Sequence, residues 1–174
     1  MDDRGRRTMN ADGGGRMDAN ERQVLVARYK AGYQVVANAL EGATDAELDA
    51  HPAPGKWSAR QIVHHLADSE MTSAIRLRLM LAHDRPAIGA YDQDEFARRL
   101  HYDRPLATSL AAFRAARDAT AELLDRLNEE DWIRLGVHPE HDSYGVEEWL
   151  RIYAAHAHDH ADQIRRARAV AGTG

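Results

Sequence analysis

Four long segments of the chain place apolar residues at helical spacing, and this pattern constrains the fold more than any other feature. The first segment follows Asp18, the second follows Ser58, the third follows Pro105 and the fourth follows Gly145. No segment alternates apolar and polar residues in the manner of a half-buried strand. The sequence therefore predicts an all-α fold, a four-helix bundle with a long crossover connection between its second and third long helices.

Capping residues and helix breakers set the predicted boundaries. Ser58 precedes Gln61 by three residues, which is the spacing of a capping box, so a helix begins at Ala59. Pro86 cannot continue this helix, and we expect it to end near His83. The same reasoning predicts a helix between Asp18 and Gly42, a single turn between Thr44 and Pro52, a short helix over Asp92–Leu100, a helix over Leu106–Leu127, an ordered loop or short extended piece over Ile133–Tyr144, and a last helix from Gly145 to Val170.

Residues 1–18 are polar, contain three consecutive glycines and show no periodicity. Such a segment is typical of a disordered N-terminal tail. Residues 19–171 are then expected to form one domain, because a chain of 174 residues can bury a sizeable core without a disulfide or a structural metal.

Composition excludes several classes of function. The chain has no cysteine, so disulfides, a thiolate nucleophile and sulfur-ligated metals are excluded, and any metal has to bind to histidine or carboxylate. Its 23 basic and 28 acidic side chains give no domain-wide basic surface, and we expect no nucleic-acid partner. No signal peptide and no apolar run of about 20 residues is present, so we expect a cytoplasmic protein without membrane contact.

A pair of histidines in the last predicted helix is the strongest candidate for chemistry. His156 and His160 are four residues apart, so both lie on one helix face with Cβ atoms about 6 Å apart. Because metal–imidazole bonds are about 2.0–2.1 Å long, two such rings can hold one divalent ion without distorting the helix. Trp149, Ile152 and Tyr153 continue this face and place the pair toward the bundle interior. Surface histidines on an alanine-rich helix are the alternative, since short motifs have many false matches.

The second long helix offers a third imidazole, because His64 and His65 are adjacent there. Neighbouring residues differ by about 100° around a helix axis, so only one of the two rings faces the core. The apolar stripe through Ile62, Leu66 and Leu77 favours His65, although spacing alone does not decide between the neighbours.

Four stretches of the sequence resemble, in order and spacing, the DinB/YfiT-like metalloproteins, and particularly their branch similar to bacillithiol transferases. These stretches are GKWSARQIVHHLADSEM, RPAIGAYDQDEF, EEDWIRLGVHPEH and WLRIYAAHAHDHADQI. The resemblance spans about residues 19–169 and implies a four-helix bundle in which His65, His156 and His160 hold a divalent ion. The sequence departs from its relatives at Glu70, where they often have histidine, and at Gly145, where they often have a threonine or serine cap. These departures bear on substrate preference.

Three neutral imidazoles leave an ion with its full charge and at least one open position, which is the pattern of catalytic sites. The resemblance implies an enzyme in detoxification or stress response, in which zinc, nickel or iron binds a low-molecular-weight thiol such as bacillithiol and the thiol is conjugated to an electrophilic substrate. It also implies a homodimer. Hydrolysis by metal-activated water is the first alternative. The second is a non-catalytic, stress-induced metal-binding protein, which a site closed by a side chain such as Glu70 would favour.

Several other residues are weaker candidates. Asp68 and Asp159 are expected either to orient the metal-binding rings or to be solvated carboxylates on a helix face. Gln163 either faces the site or bonds to a nearby backbone group. The remaining candidates, for each of which an ordinary loop, cap or surface role is the alternative, are Trp57, Arg60, Arg76, Arg78, Tyr91, Asp92, His138 and His141.

Overall fold

The computed structural model describes residues 16–139 and 141–171, with the backbone alone for residues 141–143. Helices predominate in this part of the chain, and a short antiparallel hairpin precedes the last of them. In chain order the elements are α1 (Ala19–Leu40), α2 (Asp45–Asp49), α3 (Ala59–Ala82), α4 (Gln93–Arg99), α5 (Ala107–Leu124), α6 (Glu129–Trp132), β1 (Leu135–His138), β2 (His141–Gly145) and α7 (Val146–Ala169).

The predicted four-helix bundle is confirmed. Its long helices are α1, α3, α5 and α7, with α1 packed against α5 and α7, and α3 likewise packed against α5 and α7. Phe113, Leu77 and Trp149 are among the largest side chains that the core buries completely. None of the helices in the described ranges has both the length and the apolarity that crossing a bilayer requires.

The caps that the sequence predicts are present at the helix starts. The Asp18 carboxylate accepts a hydrogen bond from the Glu21 backbone N–H at 2.8 Å, and Ser58 forms a capping box with Gln61. α5 ends at Leu124, three residues before the predicted end at Leu127. Local capping interactions therefore fix the first residues of α1 and α3.

The stretch expected to be an ordered loop or short extended piece contains the hairpin of β1 and β2, so its extended backbone is paired, which the sequence did not indicate. Its strands contain only four and five residues, Gly136 interrupts the apolar alternation, and the register shifts between Gly136 and His138. The hairpin also holds the crossover segment, because the Ile88 backbone N–H donates to the Val137 carbonyl at 2.8 Å and the Val137 N–H donates to the Pro86 carbonyl at 2.9 Å. These bonds attach the crossover segment to the entry of α7.

The folded part of the chain begins before Asp18, within the predicted N-terminal tail. Residues 1–15 lie outside the described residues, but Met17 is buried in the core and its backbone N–H donates to the Glu147 carboxylate at 3.1 Å. Arg16 forms an ion pair with Glu129. The folded part therefore includes Arg16 and Met17, which the sequence places in the predicted tail.

A buried charged cluster of Tyr29, Glu70 and Arg117, here called the Arg117 cluster, joins all four long helices. Arg117 donates from Nη1 to the Glu70 carboxylate at 2.6 Å, from Nε to the Tyr29 carbonyl and from Nη2 to the Tyr153 carbonyl. The Tyr29 hydroxyl donates to the other Glu70 oxygen. Gly32 leaves the necessary space, because a Cβ atom there would lie 2.7 Å from the Arg117 guanidinium carbon. The cluster fixes α1, α3, α5 and α7 relative to one another.

Candidate metal centre

The structure brings His65 of α3 together with His156 and His160 of α7. The Nε2 atom of His156 lies 3.4 Å from His65 Nε2 and 3.1 Å from His160 Nε2. The candidate ligand atoms of the three residues all lie within 4.8 Å of one another. His65 is buried, whereas His156 and His160 are half-buried. Three ring nitrogens from two helices thus converge on one point.

This spacing fits a shared divalent ion. Two imidazole nitrogens bound tetrahedrally at about 2.0–2.1 Å from one ion are separated by about 3.3 Å. The two shorter separations observed here bracket that value. The Nδ1 atom of His65 is buried and has no hydrogen-bond partner in the described part of the chain. Nε2, which faces His156, is therefore the nitrogen of this ring that an ion can reach.

Gln163 determines which nitrogen of His160 faces the centre. His160 Nδ1 lies 2.9 Å from the Gln163 side-chain oxygen, and an amide oxygen only accepts, so Nδ1 carries the proton. The lone pair is then on Nε2, the atom that points toward His156. Of the two positions expected for Gln163, the structure shows the one that faces the site, in contact with the His160 ring.

Burial keeps the three imidazoles neutral. It lowers the pKa of His65 to about 3, with a smaller contribution from the neighbouring His160. Burial also lowers the pKa of His156, again together with His160, and that of His160 itself. Metal ligation requires neutral imidazole, so these shifts favour the form that binds an ion.

An open cleft of about 530 Å³ is lined in part by His160 and so reaches the histidine cluster at that residue. Trp57 lines the cleft, and its ring centroid lies 5.0 Å from that of His65. Lys56, Arg166 and Asp94 bring charged side chains to the lining. A small molecule entering the cleft can therefore approach the histidine cluster from one side.

Comparison with known proteins defines the family. A sequence model of the DinB superfamily matches residues 28–164. The chain belongs to the DinB superfamily. A "putative metal-dependent hydrolase" of Oceanobacillus iheyensis is 34% identical over 131 residues, which cover 75% of this chain and 76% of that protein. YfiT of Bacillus subtilis, named in the same way, is 34% identical over 128 residues and 72% of each chain.

The solved structure of YfiT, described as "a probable metal-dependent hydrolase with an unusual four-helix bundle topology", has a TM-score of 0.83 against this chain. It covers 90% of both chains at 28% sequence identity. The architecture of this DinB superfamily member is thus shared over nearly the whole of both proteins.

The neighbour of His65 faces a different part of this DinB-like bundle. His64 is buried beside α5, where its ring nitrogens contact the Ser109 hydroxyl at 2.8 Å and the Arg104 carbonyl at 2.9 Å. Glu70 does not close the site, because it belongs to the Arg117 cluster. The structure therefore brings His65 and not His64 to the α7 pair, while ligation of a metal by these residues stays a prediction.

Most of the weaker candidates have partners outside the histidine cluster. Asp68 accepts from the Tyr102 hydroxyl at 2.7 Å, and Asp159 is exposed. Arg60 pairs with acidic residues of α2, and Asp92 caps α4. Arg78 donates hydrogen bonds to the Ala74 carbonyl and the Thr120 hydroxyl. The His138 ring packs against that of Tyr144, and the Arg76 guanidinium lies over the Tyr91 ring. The His141 side chain lies outside the described residues.

Sequence reasoning noted Tyr153 only as a neighbour on the face of the histidine pair, and it did not find the contact of Tyr153 with His156 or the support from Arg117. The Tyr153 ring centroid lies 5.7 Å from that of His156, and its backbone carbonyl accepts from Arg117. Its position one turn before His156 on the same helix face was a usable signal. Arg117 gave no such signal, because a charged residue in an amphipathic pattern is normally assigned to the solvent side.

Proposed function

We propose that this chain is a divalent-metal-dependent hydrolase whose ion is held by His65, His156 and His160. The observation that carries the proposal is the convergence of three Nε2 atoms, two of their separations being 3.1 and 3.4 Å, beside an open cleft. The relatives that are named as hydrolases support the same reaction class.

A divalent ion held by these three residues would supply an activated water, or a small-molecule thiol in its thiolate form, as the nucleophile at neutral pH. The chain supplies three neutral ligands, and among the described residues no carboxylate joins them. Gln163 orients His160, and the Trp57 ring covers one side of His65. The cleft beside His160 is the route by which a substrate reaches the remaining position.

Conjugation of a low-molecular-weight thiol to an electrophile is the second candidate reaction. The chain contains no cysteine, so the thiol would have to come from a small molecule. Lys56 and Arg166 line the cleft, and two cationic side chains suit an anionic thiol such as bacillithiol. Zinc, nickel and iron all accept imidazole ligands and are the candidate ions.

Metal analysis tests the ligand set. We expect His65→Ala, His156→Ala and His160→Ala each to lose the metal that the purified wild-type protein retains, as measured by elemental analysis. His158→Ala is the matched control, because His158 is on the same helix but contacts the Arg28 carbonyl instead. Stoichiometric metal in the His156 and His160 variants would refute the assignment.

A substrate panel distinguishes the two reactions. We expect the metal-loaded protein to hydrolyse 4-nitrophenyl esters or anilides, and expect chelation and His156→Ala to abolish this activity. Conjugation of monochlorobimane is measured in parallel with bacillithiol, cysteine, glutathione and coenzyme A. Metal-dependent conjugation without hydrolysis would overturn the hydrolase proposal in favour of the transferase.

We also propose that the protein is a homodimer, which rests on the resemblance alone. Light scattering coupled to size exclusion chromatography is expected to give twice the chain mass of 19.5 kDa. A mass of one chain at micromolar concentration would contradict it.

A further inference from the structure

The open cleft beside His160 has an excess of positive charge in its lining. Lys56 and Arg166 are cations, Asp94 is an acid, and all three residues are exposed to solvent. No other described residue of the lining carries a formal charge at neutral pH, so two cations and one acid leave the cleft with a net charge of +1. A cleft of this charge attracts a monoanion.

Lys56 and Arg166 keep their charges available to a ligand. Within the described ranges neither side chain forms an ion pair, whereas the adjacent Arg165 pairs with Asp162 at 2.6 Å. The ammonium and guanidinium groups have only donors, and both residues are open to solvent. An anion that enters the cleft can therefore be bound without displacing an acidic side chain from either cation.

Lys56 extends from a backbone that the preceding turn holds in place. Its N–H donates to the Ala53 carbonyl at 3.0 Å, and its own carbonyl accepts from His51 Nδ1 at 2.7 Å. The next residue, Trp57, lines the cleft and packs on His65, with 5.0 Å between the ring centroids. The turn therefore sets the position of the Lys56 backbone relative to the histidine cluster.

Arg166 is on the same face of α7 as His160. His160, Gln163 and Arg166 follow one another at intervals of three residues, and all three line the cleft. Six residues of helix separate the first from the last by about 9 Å along the axis. Because helical side chains lean toward the N-terminus, the Arg166 guanidinium leans back toward His160. One small molecule can therefore contact both residues.

Apolar side chains complete the lining between the charged residues and the histidine. Trp57 and Pro52 belong to the segment before α3, and the buried Ile62 belongs to α3 itself. A hydrocarbon or aromatic segment loses contact with water against these residues, whereas a second charge in the middle of the ligand would find no partner there.

We infer that Lys56 and Arg166 bind a carboxylate of the substrate in this cleft, while the reacting bond lies at the His160 end. The inference deepens the proposed function and rests on it for the word substrate. It assigns the substrate class: acids in which a short apolar segment separates a free carboxylate from the bond that is broken. Lys56 and Arg166 are then specificity-determining residues, and Asp94 opposes them.

Binding to the metal-free protein tests the two cations without catalysis and without the charge of an ion. The protein is titrated calorimetrically with 4-phenylbutyrate, and with 4-phenylbutyramide as the uncharged analogue. We expect wild type to bind the acid more tightly than the amide, and added salt to weaken only the acid. Lys56→Gln and Arg166→Gln are each expected to weaken acid binding about three- to fivefold, and the double variant about tenfold or more.

Two further variants make the test specific. Asp94→Asn removes the opposing charge, and we expect it to strengthen acid binding about two- to threefold. Arg165→Gln is the matched control, because Arg165 is adjacent to Arg166 on α7 but pairs with Asp162, and it is expected to bind the acid as wild type does. Equal binding of acid and amide by wild type, weaker binding by Asp94→Asn, or equal losses in the Arg165 and Arg166 variants would each overturn the inference.

Kinetics separates this inference from the proposed function. With the metal-loaded protein, 4-nitrophenyl hydrogen glutarate is compared with 4-nitrophenyl valerate after subtraction of the uncatalysed rates. We expect the double variant of Lys56 and Arg166 to lower the ratio of kcat/KM for the acidic ester to that for the neutral ester about tenfold or more. If neither ester is hydrolysed but binding of 4-phenylbutyrate still depends on both cations, the hydrolase proposal fails and the anion site remains. An unchanged ratio would overturn the specificity role.

Discussion

At the scale of single residues, the hydrogen bond between Gln163 and His160 has an effect that metal affinity can measure. With this bond removed, His160 can present either nitrogen, and the ring must be reoriented when the ion binds. We expect Gln163→Ala to weaken zinc or nickel binding about 10- to 100-fold in competition with a chelating dye. Gln34→Ala is the control, because Gln34 pairs with Asn38 on the exposed side of α1. Equal affinities in the two variants would contradict the orienting role.

Burial of His65 predicts the direction of a pH effect on stability. The pKa of His65 is about 3 in the folded protein, and an imidazole in an unfolded chain has a pKa of about 6.5. Below pH 6.5 the unfolded chain binds a proton that the folded chain does not, so the free energy of unfolding falls as the pH falls toward 3. The slope is up to about 1.4 kcal/mol per pH unit for each such histidine.

Urea unfolding of the metal-free protein at pH 7.5, 6 and 5 measures this effect. The wild type is expected to lose stability below pH 6.5, and His65→Leu is expected to show a shallower loss. Identical pH profiles for the two proteins would show that the His65 ring is not buried in its neutral form.

At the scale of helices and strands, the Arg117 cluster determines how α3 and α7 meet. Arg117 and Glu70 side chains are essentially buried, with exposures of 1% and 0%. Removing one member leaves a buried charge without its partner, so we expect Glu70→Leu or Arg117→Met to cost about 3–5 kcal/mol of unfolding free energy. The double variant is expected to cost less than the sum. A double-mutant cycle by urea unfolding measures the difference, and strict additivity would contradict direct coupling.

The individual helices could be predicted because their signals are local. The caps at Asp18 and Ser58 and the apolar period lie within single segments, and α1, α3 and α7 begin where those signals place them. β1 and β2 gave no comparable signal, since their pairing depends on residues facing each other across a turn. Both strands are also too short for an alternation of apolar and polar residues to distinguish them from a loop.

At the scale of the whole molecule, a metal that binds the folded chain more tightly than the unfolded chain raises the melting temperature. We expect zinc or nickel at about 100 times the dissociation constant to stabilise wild type by about 2.7 kcal/mol. His158→Ala should show the same rise, and His156→Ala should show almost none. The measurement is thermal unfolding with and without metal, and an equal rise in both variants would indicate nonspecific binding.

Assembly of the site depends on contacts between distant parts of the chain, which the sequence reveals only in part. Helical spacing alone indicates the pair of histidines on α7, but it does not decide between His64 and His65. The fold decides, because His64 contacts Ser109 of α5 and His65 contacts His156 of α7. Glu70 and Arg117 are separated by 47 residues, and no local pattern shows that they pair. Arg76 is one of three equivalent cations in the sequence, and only the fold shows that its guanidinium carbon lies 5.7 Å from the centre of the Tyr91 ring.

The order of the three histidines along the chain has a consequence for how the proposed metal site forms during synthesis. α3 supplies one of the three converging rings, and α7, the last helix, supplies the other two. A nascent polypeptide therefore carries only one of them until α7 has left the ribosome. If these rings hold the ion as proposed, the site forms only after α7 has been synthesised, and a product of premature termination before α7 is expected to bind no ion.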